Sequence, residues 1–110
     1  MIKKLFNNLI NSINGLKIVI KESSFILELV LGFFLIPYIF LSNIDFNYKI
    51  ILSVLYFLLL AFEIMNTAIE KLCDKVTTDI NPEIKKIKDL SSAAVFVVLL
   101  ILIITFLASF

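Results

Sequence analysis

The sequence predicts an all-α membrane protein with three transmembrane helices per protomer and an N-terminal amphipathic surface helix. Hydrophobic residues make up 61% of the 110-residue chain, and its mean hydropathy is +1.07. Soluble domains are only about 45–50% apolar, and a chain of this length has too little interior to hide the excess. The apolar residues also form three long segments of the length that suits a bilayer. We therefore expect a single membrane domain over residues 1–110.

The composition excludes several classes of function. The chain has no His and a single Cys, Cys73, and its net charge is +1. Histidine-based catalysis, histidine metal sites, cysteine metal clusters and an intramolecular disulfide framework are therefore excluded. The small net charge gives no reason to expect a nucleic-acid partner.

Residues 1–21 are predicted to form the amphipathic surface helix. Apolar residues recur at the i, i+3, i+4 spacing, with Lys and Asn on the opposite face. A basic polar face opposite an apolar one is typical of a helix that lies in the membrane interface. A signal peptide is the alternative, but Asn and Lys interrupt the apolar residues and no small-residue cleavage site follows. The apolar residues of this face are Ile2, Leu5, Phe6, Leu9, Ile10, Ile13 and Leu16.

The first two spans are predicted at residues 23–42 and 46–75, with a short turn between them. The first contains one charge, Glu28, and an internal proline, Pro37, which membrane helices tolerate. The second is apolar to Phe62 and then continues as a polar extension in helical pattern.

A loop at residues 76–81 leads to the third helix, predicted at residues 82–110. Asn81 is a suitable N-cap, and Pro82 suits the first helical position. Residues 90–110 contain no charge, and their number is about what a bilayer core requires.

The lysines predict the orientation. Nine of them flank the first span or lie between the second and third spans, and only Lys49 lies between the first and second. By the positive-inside rule, the N-terminus and the 71–88 segment face the cytosol. The nine are Lys3, Lys4, Lys17, Lys21, Lys71, Lys75, Lys85, Lys86 and Lys88.

One face of the second helix carries the candidate chemistry. Glu63, Asn66, Glu70 and Asp74 fall at i, i+3, i+7 and i+11, which forms one stripe along a helix. An ionisable group at membrane depth costs about 2.5–3.5 kcal/mol on insertion scales, and the mutual repulsion of such carboxylates would be relieved by a divalent cation such as Mg²⁺. Carboxylates for a metal, a carboxylate base and lysine for phosphate are the parts that phosphoryl transfer requires.

Ordinary structural interpretations stand beside this one. Glu70 and Asp74 suit a solvated helix end, and the lysines suit membrane anchors. Glu63 and Glu28 could each make a structural hydrogen bond between helices. The chain has no glycine-rich phosphate loop. The residues by themselves therefore predict a polar site at the interface but do not establish a kinase.

Two segments resemble the signature of the small prokaryotic diacylglycerol kinases. One is Glu63-Ile64-Met65-Asn66-Thr67-Ala68-Ile69-Glu70, followed by Asp74. The other is Lys88-Asp89-Leu90-Ser91-Ser92-Ala93-Ala94-Val95, and Glu22-Ser23-Ser24-Phe25 resembles a further family segment at the mouth of the first span. The resemblance covers the chain from about Gly15 onward.

The resemblance implies a homotrimeric lipid kinase of the bacterial inner membrane with a site shared between protomers. It implies transfer of the γ-phosphate of MgATP to diacylglycerol, giving phosphatidic acid. It further implies a role for each residue that matches the motifs. Glu63 would be the general base with Asn66 beside it, Glu22 and Glu70 would bind the divalent ions, Lys88 would hold phosphates with Asp89 positioning it, and Glu28, Asp74 and Ser92 would complete the polar shell.

Three alternatives remain open at this point. Undecaprenol kinases share the architecture, but they often carry a basic segment after the first conserved Glu, where this chain has Ser23 to Leu27. Ile26 and Leu27 also replace polar residues of relatives, and Ser91 replaces a common Gly. A small transporter subunit would have four spans and no need for the charged cluster. A non-catalytic membrane adaptor is the third alternative.

Overall fold

The computed structural model describes residues 1–110 and contains four helices and no strand. They are α1 (Ile2–Val19), α2 (Ser23–Leu41), α3 (Phe46–Val76) and α4 (Pro82–Ala108). The last three are long and apolar enough to cross a membrane. The all-helical fold class with three spanning helices, predicted from the sequence, is confirmed.

Local sequence explains where these helices begin and end. α2 ends at Leu41, and the backbone N–H and the hydroxyl of Ser42 both donate to the carbonyl of Tyr38, at 3.1 and 2.5 Å. α4 begins at Pro82, and the side-chain oxygen of Asn81 accepts hydrogen bonds from the amides of Glu83 and Ile84. This N-cap satisfies two amide donors that have no partner within the helix.

α1 lies apart from the other helices. Val19 is its one buried residue, and the turn after it is closed by hydrogen bonds from the amides of Lys21 and Glu22 to the carbonyls of Ile18 and Val19. Because its apolar face packs on no other helix, that face is free to lie against lipid.

α3 is the central helix of the other three. It packs most extensively on α4 and less on α2. Leu52 and Leu59 of α3 are completely buried because both neighbours cover this face. The remaining buried residues of the cluster are Leu35, Ile39, Tyr56, Val95, Val98 and Leu102.

Most of the molecule's apolar surface points outward. Only 16 of 110 residues are buried, while large side chains such as Phe33 and Phe40 are 75% and 74% exposed. Soluble monomers rarely expose contiguous apolar surface on this scale. The three long helices therefore present their outer faces to lipid or to other protein.

Gly32 of α2 lies directly against the side chain of Tyr56 of α3. A side-chain methyl group at this position would overlap the ring and hydroxyl of Tyr56. The Tyr56 hydroxyl instead passes the glycine and donates a 2.9 Å hydrogen bond to the backbone carbonyl of Glu28. This contact fixes the backbone of α2 against α3 one helical turn from Gly32.

At the far end of the bundle, the C-terminal ends of α2 and α4 are joined. The hydroxyls of Tyr38 and Ser109 lie 2.7 Å apart, and Ser109 also donates to the carbonyl of Phe106. The rings of Tyr38, Phe106 and Phe110 pack edge to face around this contact. We call these four residues (Tyr38, Phe106, Ser109 and Phe110) the closed end.

Candidate active site

The predicted polar stripe lies on one face of α3, near the end of the bundle opposite the closed end. Glu63 and Asn66 are 5% and 7% exposed, whereas Glu70 and Asp74 are exposed. The stripe therefore runs from a buried carboxyl group to the helix end where solvent has access. This gradient follows from the helical spacing of these residues along α3.

Asn66 connects the buried and exposed parts of the stripe. Its side-chain amide donates a 3.1 Å hydrogen bond to Glu70 Oε1, and its side chain also lies close to Glu63. Its Oδ1 atom is buried and has no hydrogen-bond partner. Native proteins leave few buried polar atoms unpaired, and those that remain unpaired need an explanation.

A second carboxyl group faces Glu63 from α2. The carboxyl groups of Glu28 and Glu63 are close enough to interact directly, and Glu28 Oε2 is buried without a hydrogen-bond partner. Neither group forms an ion pair with a lysine. Two acidic groups packed together at membrane depth without a cation are unfavourable for stability, so this arrangement suggests a function.

Lys88 of α4 forms an ion pair with the stripe on α3. Its partner is Asp74, whereas Asp89 was the expected partner. Its Nζ lies 2.7 Å from Asp74 Oδ1, whereas Asp89 pairs with Lys85 at 2.7 Å. The expected positioning of Lys88 by Asp89 is thus replaced by positioning through Asp74. The reason is helical geometry, because adjacent residues point in different directions while residues four apart are neighbours.

Glu22 lies at the start of α2, and its carboxylate pairs with Lys71 of α3. Lys71 Nζ is 3.2 Å from Glu22 Oε1. Glu22 occupies the N-cap position of α2 but its side chain makes no capping hydrogen bond. The carboxylate is therefore directed to α3 and joins the outer part of the stripe.

The structure does not bring every predicted residue together. Ser92 is exposed and makes no hydrogen bond to the other site residues. Asp89 pairs with Lys85 on its own helix and forms no ion pair with Lys88. The residues that the structure does bring together are Glu22, Glu28, Glu63, Asn66, Glu70, Lys71, Asp74 and Lys88, and we call them the charged end.

Sequence reasoning gave no role to Lys71 or Tyr56. Lys71 belongs to the lysines that predict the orientation and suits a solvated helix end, and no local pattern identifies a partner 49 positions earlier in the chain. Tyr56 lies in an apolar stretch, and nothing in its neighbours predicts a bond to Glu28, 28 positions earlier. Both contacts depend on how α2 packs on α3.

Two openings lie beside the charged end. One, of about 310 Å³, lies between α3 and α4 next to Asn66 and has a mostly apolar lining that includes Phe62, Met65 and Ala94. The other, of about 410 Å³, lies beside Lys88 and is lined by the mostly polar loop before α4, from Thr78 to Pro82. An apolar opening beside Asn66 and a polar opening beside Lys88 suit two chemically different ligands.

The donors present suit a divalent ion that arrives with phosphate groups. The candidate ligands Glu22 and Glu70 offer only oxygen atoms, which Mg²⁺ prefers. No three Asp, Glu, His or Cys side chains converge on one point. Mg²⁺ commonly keeps its waters and uses one or two carboxylates together with substrate phosphates. The residues fit that form of binding and do not fit a metal cage built by this chain alone.

Comparison with known proteins gives one consistent result. A family model described as prokaryotic diacylglycerol kinase matches residues 10–110. A protein named diacylglycerol kinase from Sinorhizobium is 36% identical over 94 residues, which are 84% of this chain and 68% of that protein. Proteins of the same name from Helicobacter pylori and Pseudomonas aeruginosa are 38% and 33% identical, over 84% and 76% of this chain and 73% and 68% of their own lengths.

Proposed function

Because the chain belongs to the prokaryotic diacylglycerol kinase family, and is thus a multi-pass bacterial membrane protein, we propose that it transfers the γ-phosphate of MgATP to the hydroxyl of diacylglycerol. The product is phosphatidic acid. One observation of the structure supports this above the others. A buried carboxyl group, Glu63, lies on the same face of α3 as Asn66, which lines an apolar opening, and this face continues through Glu70 and Asp74 to the solvent.

Glu63 is proposed as the general base. Diacylglycerol would reach it through the apolar opening beside Asn66, so that its hydroxyl meets the carboxylate at membrane depth. Glu63 then accepts the hydroxyl proton while the oxygen attacks the γ-phosphorus, and the bond from that phosphorus to the β,γ-bridging oxygen breaks so that ADP leaves. Asn66 would hold the carboxylate in place through its amide, and the Glu28 carboxyl group lies next to it. The buried position excludes water, which would otherwise compete with the lipid hydroxyl.

The outer part of the charged end is proposed to bind the polyphosphate. Lys88 would contact phosphate oxygens, and Asp74 holds its ammonium group in place. Glu22 and Glu70 would bind Mg²⁺, which neutralises phosphate charge and orients the transferred group. Glu70 lies seven residues after Glu63, roughly 10 Å along the helix, so the phosphates would extend from Glu63 toward the solvent.

The wider assembly is also part of the proposal. The lysine distribution favours a cytosolic N-terminus in the bacterial inner membrane, so the charged end would face the compartment that contains ATP. The exposed outer faces of α2 and α4 leave room for neighbouring protomers, in agreement with a homotrimer in which protomers share the site. Fewer than three ligands per protomer converge, which suits such sharing.

Phosphate transfer can be tested directly with purified protein in mixed micelles of detergent and diacylglycerol. With radiolabelled ATP and Mg²⁺, label is expected in phosphatidic acid, and Glu63→Gln should lower the rate roughly 1,000-fold because the general base is lost. Glu83→Gln is the matched control, since Glu83 is exposed at the start of α4 and should keep full activity.

Two outcomes would overturn the proposed reaction. Label that appears in undecaprenyl phosphate when that alcohol replaces diacylglycerol, and not in phosphatidic acid, would replace the lipid substrate. No label in either lipid, from protein that is folded and oligomeric, would contradict the kinase reaction itself.

A further inference from the structure

Lys71 makes the one ion pair between a lysine and a proposed metal ligand. Its ammonium group lies 3.2 Å from the Glu22 carboxylate, and the two side chains are 57% and 40% exposed. The other proposed ligand, Glu70, accepts a hydrogen bond from the neutral amide of Asn66 and pairs with no lysine. The two ligands therefore differ, because only Glu22 has its charge already balanced by a residue of this chain.

An ammonium group and a divalent cation compete for the same carboxylate. Both are attracted to the oxygen atoms of Glu22, and each repels the other at the distances that such contacts require. A cation that binds Glu22 must therefore move Lys71 away. The pair is exposed, and exposed ion pairs contribute only about 0–1 kcal/mol, so displacement is feasible. The flexible four-carbon side chain of lysine can turn toward solvent when it is released.

We propose that Lys71 is an internal counter-ion that occupies the Glu22 carboxylate until the metal–nucleotide complex displaces it, and that it thereby weakens binding of that complex. This inference rests on the proposed function, since it takes Glu22 as a metal ligand. It identifies Lys71 as a residue that lowers the affinity of the enzyme for the metal–nucleotide complex. In the absence of metal, the same pair ties the start of α2 to the cytosolic extension of α3.

The test measures binding rather than turnover. A fluorescent, non-hydrolysable ATP analogue is titrated into the full-length protein in detergent micelles, once with saturating Mn²⁺ and once with EDTA. Lys71→Ala should tighten binding of the Mn²⁺ complex roughly threefold, as expected for loss of an exposed ion pair. It should not tighten binding in EDTA, because no cation then competes for Glu22.

Lys75→Ala is the matched control. Lys75 is an exposed lysine on the same helix, four residues on, and it forms no ion pair. It corrects for the general loss of positive charge near the nucleotide and should not tighten binding. Lys71→Ala should also have no tightening effect in a Glu22→Gln background, since the carboxylate that both cations use is then absent.

The outcomes separate this inference from the proposed function. Unchanged or weaker binding of the Mn²⁺ complex to Lys71→Ala overturns the inference, and weaker binding would assign Lys71 to the phosphates instead. Equal tightening in Mn²⁺ and in EDTA also overturns it. If the wild-type protein shows no metal-dependent binding of the analogue at all, the proposed function fails and the inference fails with it.

Discussion

Polar groups are hydrogen-bonded at one end of the helix bundle, whereas buried polar atoms lack partners at the other end. At the closed end, the hydroxyls of Tyr38 and Ser109 bond to each other, and aromatic rings pack around them. At the charged end, Glu28 Oε2 and Asn66 Oδ1 are buried without partners, and two carboxyl groups face each other. The same helices, α2 and α4, contribute to both ends, so the difference does not arise from the choice of elements.

This difference indicates that residues of the closed end stabilise the fold and that residues of the charged end bind ligands. Unpaired buried polar atoms and facing carboxylates lower the free energy of unfolding, and proteins often keep such costs at functional sites. The closed end has no such cost. We therefore expect substitutions at the charged end to change activity more than stability, and substitutions at the closed end to do the reverse.

Among the substitutions that compare the two ends, Asn66→Ala at the charged end has the largest expected effect. Activity should fall about 100-fold, because Glu63 and Glu70 lose the amide that orients them. The free energy of unfolding, measured by SDS titration in micelles, should change by less than about 1 kcal/mol. The lost hydrogen bond is offset by removal of the unpaired Oδ1, whose burial is itself unfavourable. A stability loss that accounts for the whole activity loss would contradict the contrast between the ends.

The next effect concerns Gly32, which lies between the two ends. Gly32→Ala should lower the free energy of unfolding by about 2 kcal/mol, because the added methyl group overlaps Tyr56 and the helices must shift. Activity should fall as well, since Glu28 and Glu63 lie on the two helices that move apart. The measurement is again SDS unfolding, with phosphate transfer assayed on the same samples.

Gly15→Ala is the matched control for Gly32→Ala. Gly15 lies on the exposed helix α1, where an added methyl group meets no atom within 4 Å. Alanine at that position should be neutral or should stabilise the helix by up to about 1 kcal/mol. The overlap also predicts a partial rescue. Tyr56→Phe removes the nearest atom of the clash, so the double variant should lose less stability than the sum of the single variants.

A smaller effect is expected on nucleotide binding, and it differs between Asp74 and Asp89. Asp74→Asn should weaken nucleotide binding about tenfold, because Asp74 holds the ammonium group of Lys88 at 2.7 Å. Asp89→Asn should weaken it less, since Asp89 pairs with Lys85. Binding of the non-hydrolysable ATP analogue measures both, and Glu83→Gln serves as the control for loss of one exposed negative charge. A larger effect of Asp89→Asn would show that nucleotide binding rearranges these pairs.

The helices could be predicted from the sequence because their signals are local. Apolar length predicts the spans, Asn81 and Pro82 predict the start of α4, and the spacing of Glu63, Asn66 and Glu70 predicts a common face. In the structure, α2, α3 and α4 begin at Ser23, Phe46 and Pro82. For the same reason, the polar stripe on α3 could be predicted before any packing was known.

The partners of the charged residues could not be predicted, because they depend on packing between helices. Lys88 has a neighbouring aspartate in sequence, yet it pairs with Asp74, 14 residues away on another helix. The pairing of Lys71 with Glu22 likewise depends on how α2 packs on α3. Gly32 and Tyr56 are in contact in this packing. Such contacts depend on the packing of α2 on α3, which no local pattern reports.

The smallest expected effect belongs to the closed end. Tyr38→Phe removes the 2.7 Å contact with Ser109 but leaves the aromatic packing intact, and Ser109 keeps its bond to the carbonyl of Phe106. No buried polar atom loses its only partner, so the free energy of unfolding should fall by only about 0.5–1 kcal/mol. Tyr48→Phe is the matched control, because the Tyr48 hydroxyl has no hydrogen-bond partner within the chain. Phosphate transfer should be unchanged in both variants, since neither tyrosine reaches the charged end. A clear loss of activity in Tyr38→Phe, but not in Tyr48→Phe, would show that the two ends are coupled through α2 and α4. The two ends would then not be independent regions.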